Sequence, residues 1–266
     1  MYKVSSMLLA CAALLAAQEK ITVPLSNASQ PVTVKIHQMN GSITVTAGPA
    51  GQVIVDSAKS AGREDRIPGN VPPGMKRIDM GRGGLDVTED HNVVTINAGP
   101  PGMGGNIAVQ VPANASLQLK TVNGGSVEVT GISGEIDVDN LNGPILLKNV
   151  SGSVLAHSLN GAVTAILDRV TPDKPMSFSS LNGRVDVTLP GDTKARVRLK
   201  TDHGAVYSDF DVKMEPDTAK PLVEDNRKDG GRYRIRMDRN VYGSINGGGP
   251  EFRFETMNGD ILIHKK

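Results

Sequence analysis

Glycine returns every ninth residue through the middle of this chain. In SGEIDVDNLNGPILLKNVSG it stands at Gly134, Gly143 and Gly152, each time directly after Asn or Ser. Aligned on these glycines, the sequence falls into nine-residue frames: GSVEVTGIS from 125, GEIDVDNLN from 134, GPILLKNVS from 143, GSVLAHSLN from 152, and GAVTAIL from 161. Third positions are Val127, Ile136, Ile145, Val154 and Val163, and fifth positions are Val129, Val138, Leu147, Ala156 and Ala165. Apolar residues two apart face the same side of a strand, so each frame predicts one short strand with one buried face. The Asn-Gly or Ser-Gly pair then turns the chain, because Gly and Asn accept positive φ at little cost. The apolar eighth residues, Ile132, Leu141, Val150 and Leu159, are expected to tuck into the corners.

Asn and Ser alternate at the corner, so the full repeat is two frames, about 18 residues. Stacked copies of such a unit share one continuous core, which makes the expected fold all-β and β-solenoid-like, with two short strands per coil. Coils would rise by about 4.8 Å, the ordinary strand spacing. The Asn corners at 123, 142, 160 and 182 are placed to form a ladder of side-chain amides. Asn-Gly also favours two-residue hairpins. The in-phase recurrence of buried positions over five frames fits coiling better. A hexapeptide left-handed helix would repeat its apolar signal every six residues, not nine.

Elsewhere the repeat loosens. MNGSITV at 39–45 is an early copy, and LNGRVDV at 181–187 and MNGDILI at 257–263 are later ones. His203-Gly204 and Tyr242-Gly243 read as degenerate corners, and 59–84 and 213–231 as long loops. With no Trp and only four Phe and four Tyr, the interior is expected to consist of Val, Ile, Leu and Ala.

Residues 1–18, MYKVSSMLLACAALLAAQ, have the form of a secretory signal peptide: one lysine, an apolar run and a small-residue end. The run is short for a membrane span. The expected organisation is a signal peptide over 1–18 and a single domain over 19–266, exported to the periplasm, the cell envelope or the medium. Cys11 is the sole cysteine; LLAC loosely resembles a lipid-attachment box, but the apolar run continues past it. A chain cut after residue 17 has no cysteine, and therefore no disulfide, thiolate or cysteine-metal chemistry. It also loses Lys3, leaving 28 basic and 28 acidic residues. That balance gives no general attraction to nucleic acid or membrane, so only local charge is informative.

The repeated units MNGSITV, LNGPILL, LNGRVDV and MNGDILI, with VPANASLQLKTVNG at 111–124, resemble the bacterial putative adhesin family of uncharacterised function, also called the toastrack domain. The likeness covers most of the chain after about residue 30. It implies an extracytoplasmic β-solenoid-like domain of envelope-associated proteins, with no known reaction and no established ligand.

Chemistry-bearing motifs are sparse. His37, His91, His157, His203 and His264 form no HExxH or close pair, and GPPGMGG at 99–105 matches neither phosphate-binding fingerprint. No GxSxG elbow occurs. Neither a cofactor nor a metal site is expected. Glu135, Asp137 and Asp139 alternate with Ile136 and Val138 and so project outward together. Such acids can bind calcium or flank a glycosidic bond, yet binary patterning alone also produces them.

The strongest local signal is basic. KARVRLK aligns Lys194, Arg196, Arg198 and Lys200 on one strand face, and RYRIR aligns Arg232, Arg234 and Arg236. If coil alternation holds, the two strands are neighbours on one sheet. Such a patch suits an acidic envelope polymer, because arginine grips phosphate and carboxylate with a planar fork. A solvated face neutralised by Asp209, Glu224 or Asp238 is the plainer reading, and 213–231 could fold over it. The expected function is a non-enzymatic adhesin-type domain binding a surface polymer or another envelope protein through its sheet faces. A carbohydrate-active enzyme on a β-helical scaffold and a purely structural spacer are the alternatives.

Overall fold

The computed structural model describes residues 19–58, 85–98, 105–215, 222–225, 233–236 and 240–266. The 18-residue coil is visible directly in strand register: Ile136 lies beside Val154 and Val127 beside Ile145, both in parallel ladders. The N-terminal strands are β1 (Glu19–Pro24), β2 (Thr33–Gly48), β3 (Gln52–Ala58), β4 (Leu85–Asp90), β5 (Val93–Ala98) and β6 (Asn106–Pro112). The central ones are β7 (Ser116–Thr130), β8 (Glu135–Asn142), β9 (Ile145–Asn160), β10 (Val163–Val170), β11 (Met176–Asn182) and β12 (Val185–Leu189). Then follow β13 (Ala195–His203), β14 (Val206–Ser208), β15 (Lys213–Met214), β16 (Leu222–Asp225), β17 (Tyr233–Arg236), β18 (Val241–Ile245), β19 (Glu251–Asn258) and β20 (Ile261–Lys265).

Two faces enclose the core. Face A runs β4, β5, the first half of β2, the first half of β7, β8, the second half of β9, β11, β19, β13, β18, β15. Face B runs β1, β3, β6, the second half of β2, the second half of β7, the first half of β9, β10, β12, β20, β14. Strands β2, β7 and β9 bend through a corner and belong to both. This is the β-solenoid-like architecture that the nine-residue frame predicts.

Chain order and stacking order part at the ends. The last coil, β19–β20, is inserted between the β11–β12 and β13–β14 coils, and the early β2 coil sits between β5–β6 and β7. Among the described residues the stack pairs antiparallel only toward its two ends, in β1–β3–β6, β4–β5 and β13–β18–β15, and β16–β17 is a separate antiparallel ribbon. The β4–β5 turn has φ of 50° at His91 and 60° at Asn92, the left-handed pair of a type I′ hairpin. Hairpin geometry thus holds at an end, while the Asn-Gly corners turn parallel coils.

Third and fifth positions of every frame are buried as expected. All four phenylalanines join them, Phe178 stacked on Phe254 at 5.5 Å between ring centres, so the C-terminal half has a small aromatic core that composition understates. The eighth positions divide. Ile132 and Val150, before Ser corners, are buried; Leu141, before an Asn corner, is 41% exposed, and Leu159 is half-buried. That corrects the expectation that all four tuck in. At Asn corners the seventh residue fills the interior instead, because it shares strand parity with the third and fifth. It is polar, and at these corners, apart from Asn123 where the buried Thr121 hydroxyl has no partner among the described residues, its side chain donates to a glycine carbonyl in a neighbouring coil: Asn140 to Gly125 at 3.1 Å, Ser158 to Gly143 at 3.0 Å, Ser180 to Gly161 at 2.8 Å, Thr256 to Gly183 at 2.8 Å.

Outside these bonds runs the amide ladder. Asn258 donates to Asn182 at 2.7 Å, Asn182 to Asn160 at 2.7 Å, and Asn160 to Asn142 at 2.8 Å. The ladder ends on the Val122 carbonyl at 3.0 Å rather than on the Asn123 side chain, and it gains Asn258 because the last coil is inserted. His203-Gly204 is a true corner: a Cβ on Gly204 would lie 1.9 Å from the Gly259 carbonyl oxygen. Tyr242-Gly243 is not, since both residues lie inside β18. Residues 213–231 contain β15 and β16 rather than loop alone. The 59–84 loop and the signal segment 1–18 lie outside the described residues.

Candidate functional site

Face A presents its outward side chains in rows, because parallel register aligns like positions on successive coils. On β13 the outward residues are Arg196, Arg198 and Lys200, with Lys194 just before the strand; Lys194 and Arg196 are exposed, Arg198 and Lys200 half-buried. Insertion of β19 sets Glu251, Arg253 and Glu255 directly beside Arg196, Arg198 and Lys200. Arg198 lies 3.7 Å from Glu255, Arg253 3.1 Å from Glu251, and Arg196 3.4 Å from Glu215. Cations and carboxylates therefore share this end of the face, and the exposed Lys213 of β15, in register with Ser244 and through it with Arg196, adds a further cation.

The second basic strand is not a neighbour of the first in the sheet. Both edges of β13 are occupied, by β18 and β19, and β17 pairs with β16 in a separate two-stranded sheet. Arg234 and Arg236 belong to that ribbon, where Arg234 stands in register opposite Glu224; Arg232 and Asp238 lie outside the described residues. Alternation alone could not reveal this, because the inserted coil takes the place that the next strand would have filled. Among the described residues, the acids placed against β13 are Glu215, Glu251 and Glu255. Asp209 instead accepts from His264 at 3.1 Å and from the Lys265 amide, which hold its carboxyl below the ordinary range.

Glu135, Asp137 and Asp139 do project outward from β8. Glu135 pairs with Lys174. Burial, and then the neighbouring Asp139 charge, raise the Asp137 carboxyl above its usual range. A shallow hollow of about 250 Å³ lies over this strand, lined in part by Thr33, Gln118, Glu135, Asp137, Ser153 and Leu155. Four strand spacings, about 19 Å, separate β8 from β13, too far for one acid and one base to share a bond. Neighbouring acids on β8 rise side by side from one strand, whereas a glycosidase pair flanks its substrate from two sides.

One further row was not anticipated. Asp139, His157 and Ser179 stand in cross-strand register, and His157 Nδ1 is 2.9 Å from Ser179 Oγ. The residue types are those of acyl transfer. However, the backbone amides of β8, β9 and β11 are committed to parallel ladders, so the strands themselves present no pair of backbone donors for an oxyanion above the row. The row is a hydrogen-bonded surface. Among the described residues no group of three His, Cys, Asp or Glu is placed to hold a metal ion, and no helix is long and apolar enough to cross a membrane.

No family model matches the chain, and no curated protein matches it. A solved structure described as a "putative cell adhesion protein", from Clostridium sporogenes, is similar over 94% of this chain and 100% of its own, at 11% identity and a TM-score of 0.42. A likeness at that level carries no argument about function.

Proposed function

We propose that the protein is a non-enzymatic, exported, adhesin-type domain whose outer sheet face holds an acidic polymer of the cell envelope. The observation that carries this reading is the β13 end of face A, where Lys194 and Arg196 are exposed in line with Arg198 and Lys200. Exposed ion pairs such as Arg196–Glu215 are worth under about 1 kcal/mol, so a multivalent anion can displace the carboxylate at little cost. Arginine's planar fork then takes phosphate or carboxylate in its place. Export rests on the signal-like N-terminus, and the envelope setting on the toastrack resemblance. Arg232, Arg234 and Arg236 are proposed to add charge from the region of the β16–β17 ribbon.

The test is retention on immobilised acidic envelope glycan at roughly 0.05 M and 0.5 M salt, across which surface electrostatics are strongly screened. The expected result is salt-sensitive retention, abolished by Lys194→Glu with Arg196→Glu and weakened by Arg234→Glu with Arg236→Glu. Absence of retention, or retention indifferent to salt and to Lys194→Glu with Arg196→Glu, contradicts the reading.

A further inference from the structure

Every Asn-Gly corner of the frame is preceded by an apolar residue: Met39, Val122, Leu141, Leu159, Leu181 and Met257. Register stacks the six side by side along one edge of the solenoid, in that order. Met39, Leu141, Leu181 and Met257 are 36–42% exposed, and Val122 and Leu159 are half-buried. The interior at these corners is already filled by the polar seventh residues, so folding places no apolar requirement on the eighth. A polar side chain would serve an exposed edge equally well, yet the position is apolar six times running. The seventh, degenerate copy has Asp202 there and ends the ridge. The result is a straight apolar ridge of five strand spacings, about 24 Å long.

We propose that this ridge is the interface of a weak antiparallel homodimer. Antiparallel apposition about a two-fold axis between Leu141 and Leu159 sets Leu141 against the partner's Leu159, Val122 against the partner's Leu181, and Met39 against the partner's Met257. The polar row beside the ridge is compatible with itself under the same operation. It sets Asp139 against the partner's His157 and His37 against the partner's Glu255, while Lys120 meets the partner's Ser179. No like charges meet. A strip this narrow falls at the low end of interface sizes, below about 1,200 Å² in total, which makes the dimer reversible rather than obligate. The six ridge residues are distinct from the β13 cations, although Glu255 of the flanking row also lies 3.7 Å from Arg198, and the ridge does not rest on the proposed function.

Sedimentation velocity of the purified Cys11→Ser protein, up to about 200 µM, should show a concentration-dependent dimer, as an interface of this class implies. Leu141→Glu should weaken it about 30-fold or more, the effect of burying a charge at an interface centre. Circular dichroism checks that the variant remains folded, and Leu181→Lys is a second variant if it does not. In the double variant Met39→Cys, Met257→Cys, oxidation should give intermolecular 39–257 disulfides, because within one protomer these positions are about 24 Å apart. A protein monomeric at that concentration, a dimer indifferent to both ridge charges, or cross-links confined to 39–39 and 257–257 would overturn the proposal. A monomer whose ridge instead binds phospholipid vesicles would also overturn it, and would assign the ridge to a lipid surface.

Discussion

Leu141 stands just before an Asn corner and is 41% exposed; Ile132 and Val150 stand in the same place before Ser corners and are fully buried. The cause lies one residue earlier. Gly131 and Asn149, the seventh residues of the Ser-corner frames, have φ of +75° and +51°, and one left-handed residue reverses strand parity and turns the next side chain inward. Asn140 and Ser158, the seventh residues of the Asn-corner frames, have no such φ; they stay in the strand, point inward and leave the eighth outside. A solenoid can thus close one edge with apolar packing and the other with hydrogen bonds. Only the hydrogen-bonded edge then has apolar side chains left over for a partner.

The largest expected effect separates glycines that let neighbouring coils touch, at Asn and Ser corners alike (Gly161 and Gly134), from a glycine such as Gly131 that only supplies a left-handed turn. A Cβ on Gly161, at an Asn corner, would lie 2.1 Å from the Gly143 carbonyl oxygen, and backbone cannot retreat without parting the coils. Gly161→Ala should cost at least about 4 kcal/mol or abolish cooperative unfolding. Gly131→Ala, at a Ser-corner frame, meets only the Ala47 Cβ at 3.4 Å, and should cost about 1–2 kcal/mol for its left-handed conformation. Denaturant midpoints of the two proteins test the difference. Next in size, Ile132→Asn should destabilise by roughly 3–5 kcal/mol and Leu141→Asn by under about 1 kcal/mol. Equal losses would mean that the eighth residues share one environment.

Smaller still, Asn160→Ala removes one donor and one acceptor from the amide ladder and should cost about 1–2 kcal/mol in a thermal melt. The smallest effect concerns pH. On the edge opposite the asparagines, Asp209 has its carboxyl lowered by the His264 and Lys265 hydrogen bonds. A lowered acid adds stability above the ordinary carboxylate range and loses it as pH falls through the folded value. The thermal midpoint of Asp209→Asn should therefore lie slightly below the parent at pH near 7 and converge on it as acid is added. Asp137 has the opposite sign: burial and Asp139 raise its carboxyl, so Asp137→Asn should gain slightly at neutral pH, a gain that vanishes in acid.

Much of this fold is legible in the frame itself. The third and fifth positions, the 18-residue coil and most of the asparagine ladder follow from strand parity and turn chemistry. What could not be read are the features that depend on conformation or distance along the chain. Asn140 and Asn149 are the same residue at the same frame position, one in the strand and one left-handed, and no local rule tells them apart. The insertion of β19–β20 joins residues 55 to 76 apart in sequence, so Arg198 faces Glu255 rather than the second arginine strand. Of the proposed basic site, Lys194, Arg196, Arg198 and Lys200 were legible as one face, while their carboxylate neighbours were not.

The two corners turn the eighth residue in opposite directions. The most direct measurement is thiol labelling of single cysteines at 132, 141, 150 and 181 in a Cys11→Ser background, at dilution low enough to keep the chain monomeric. Cysteines at 141 and 181 should react at nearly the unfolded rate, and those at 132 and 150 at least about 1,000-fold more slowly, through global opening. Comparable rates at all four positions would contradict the account.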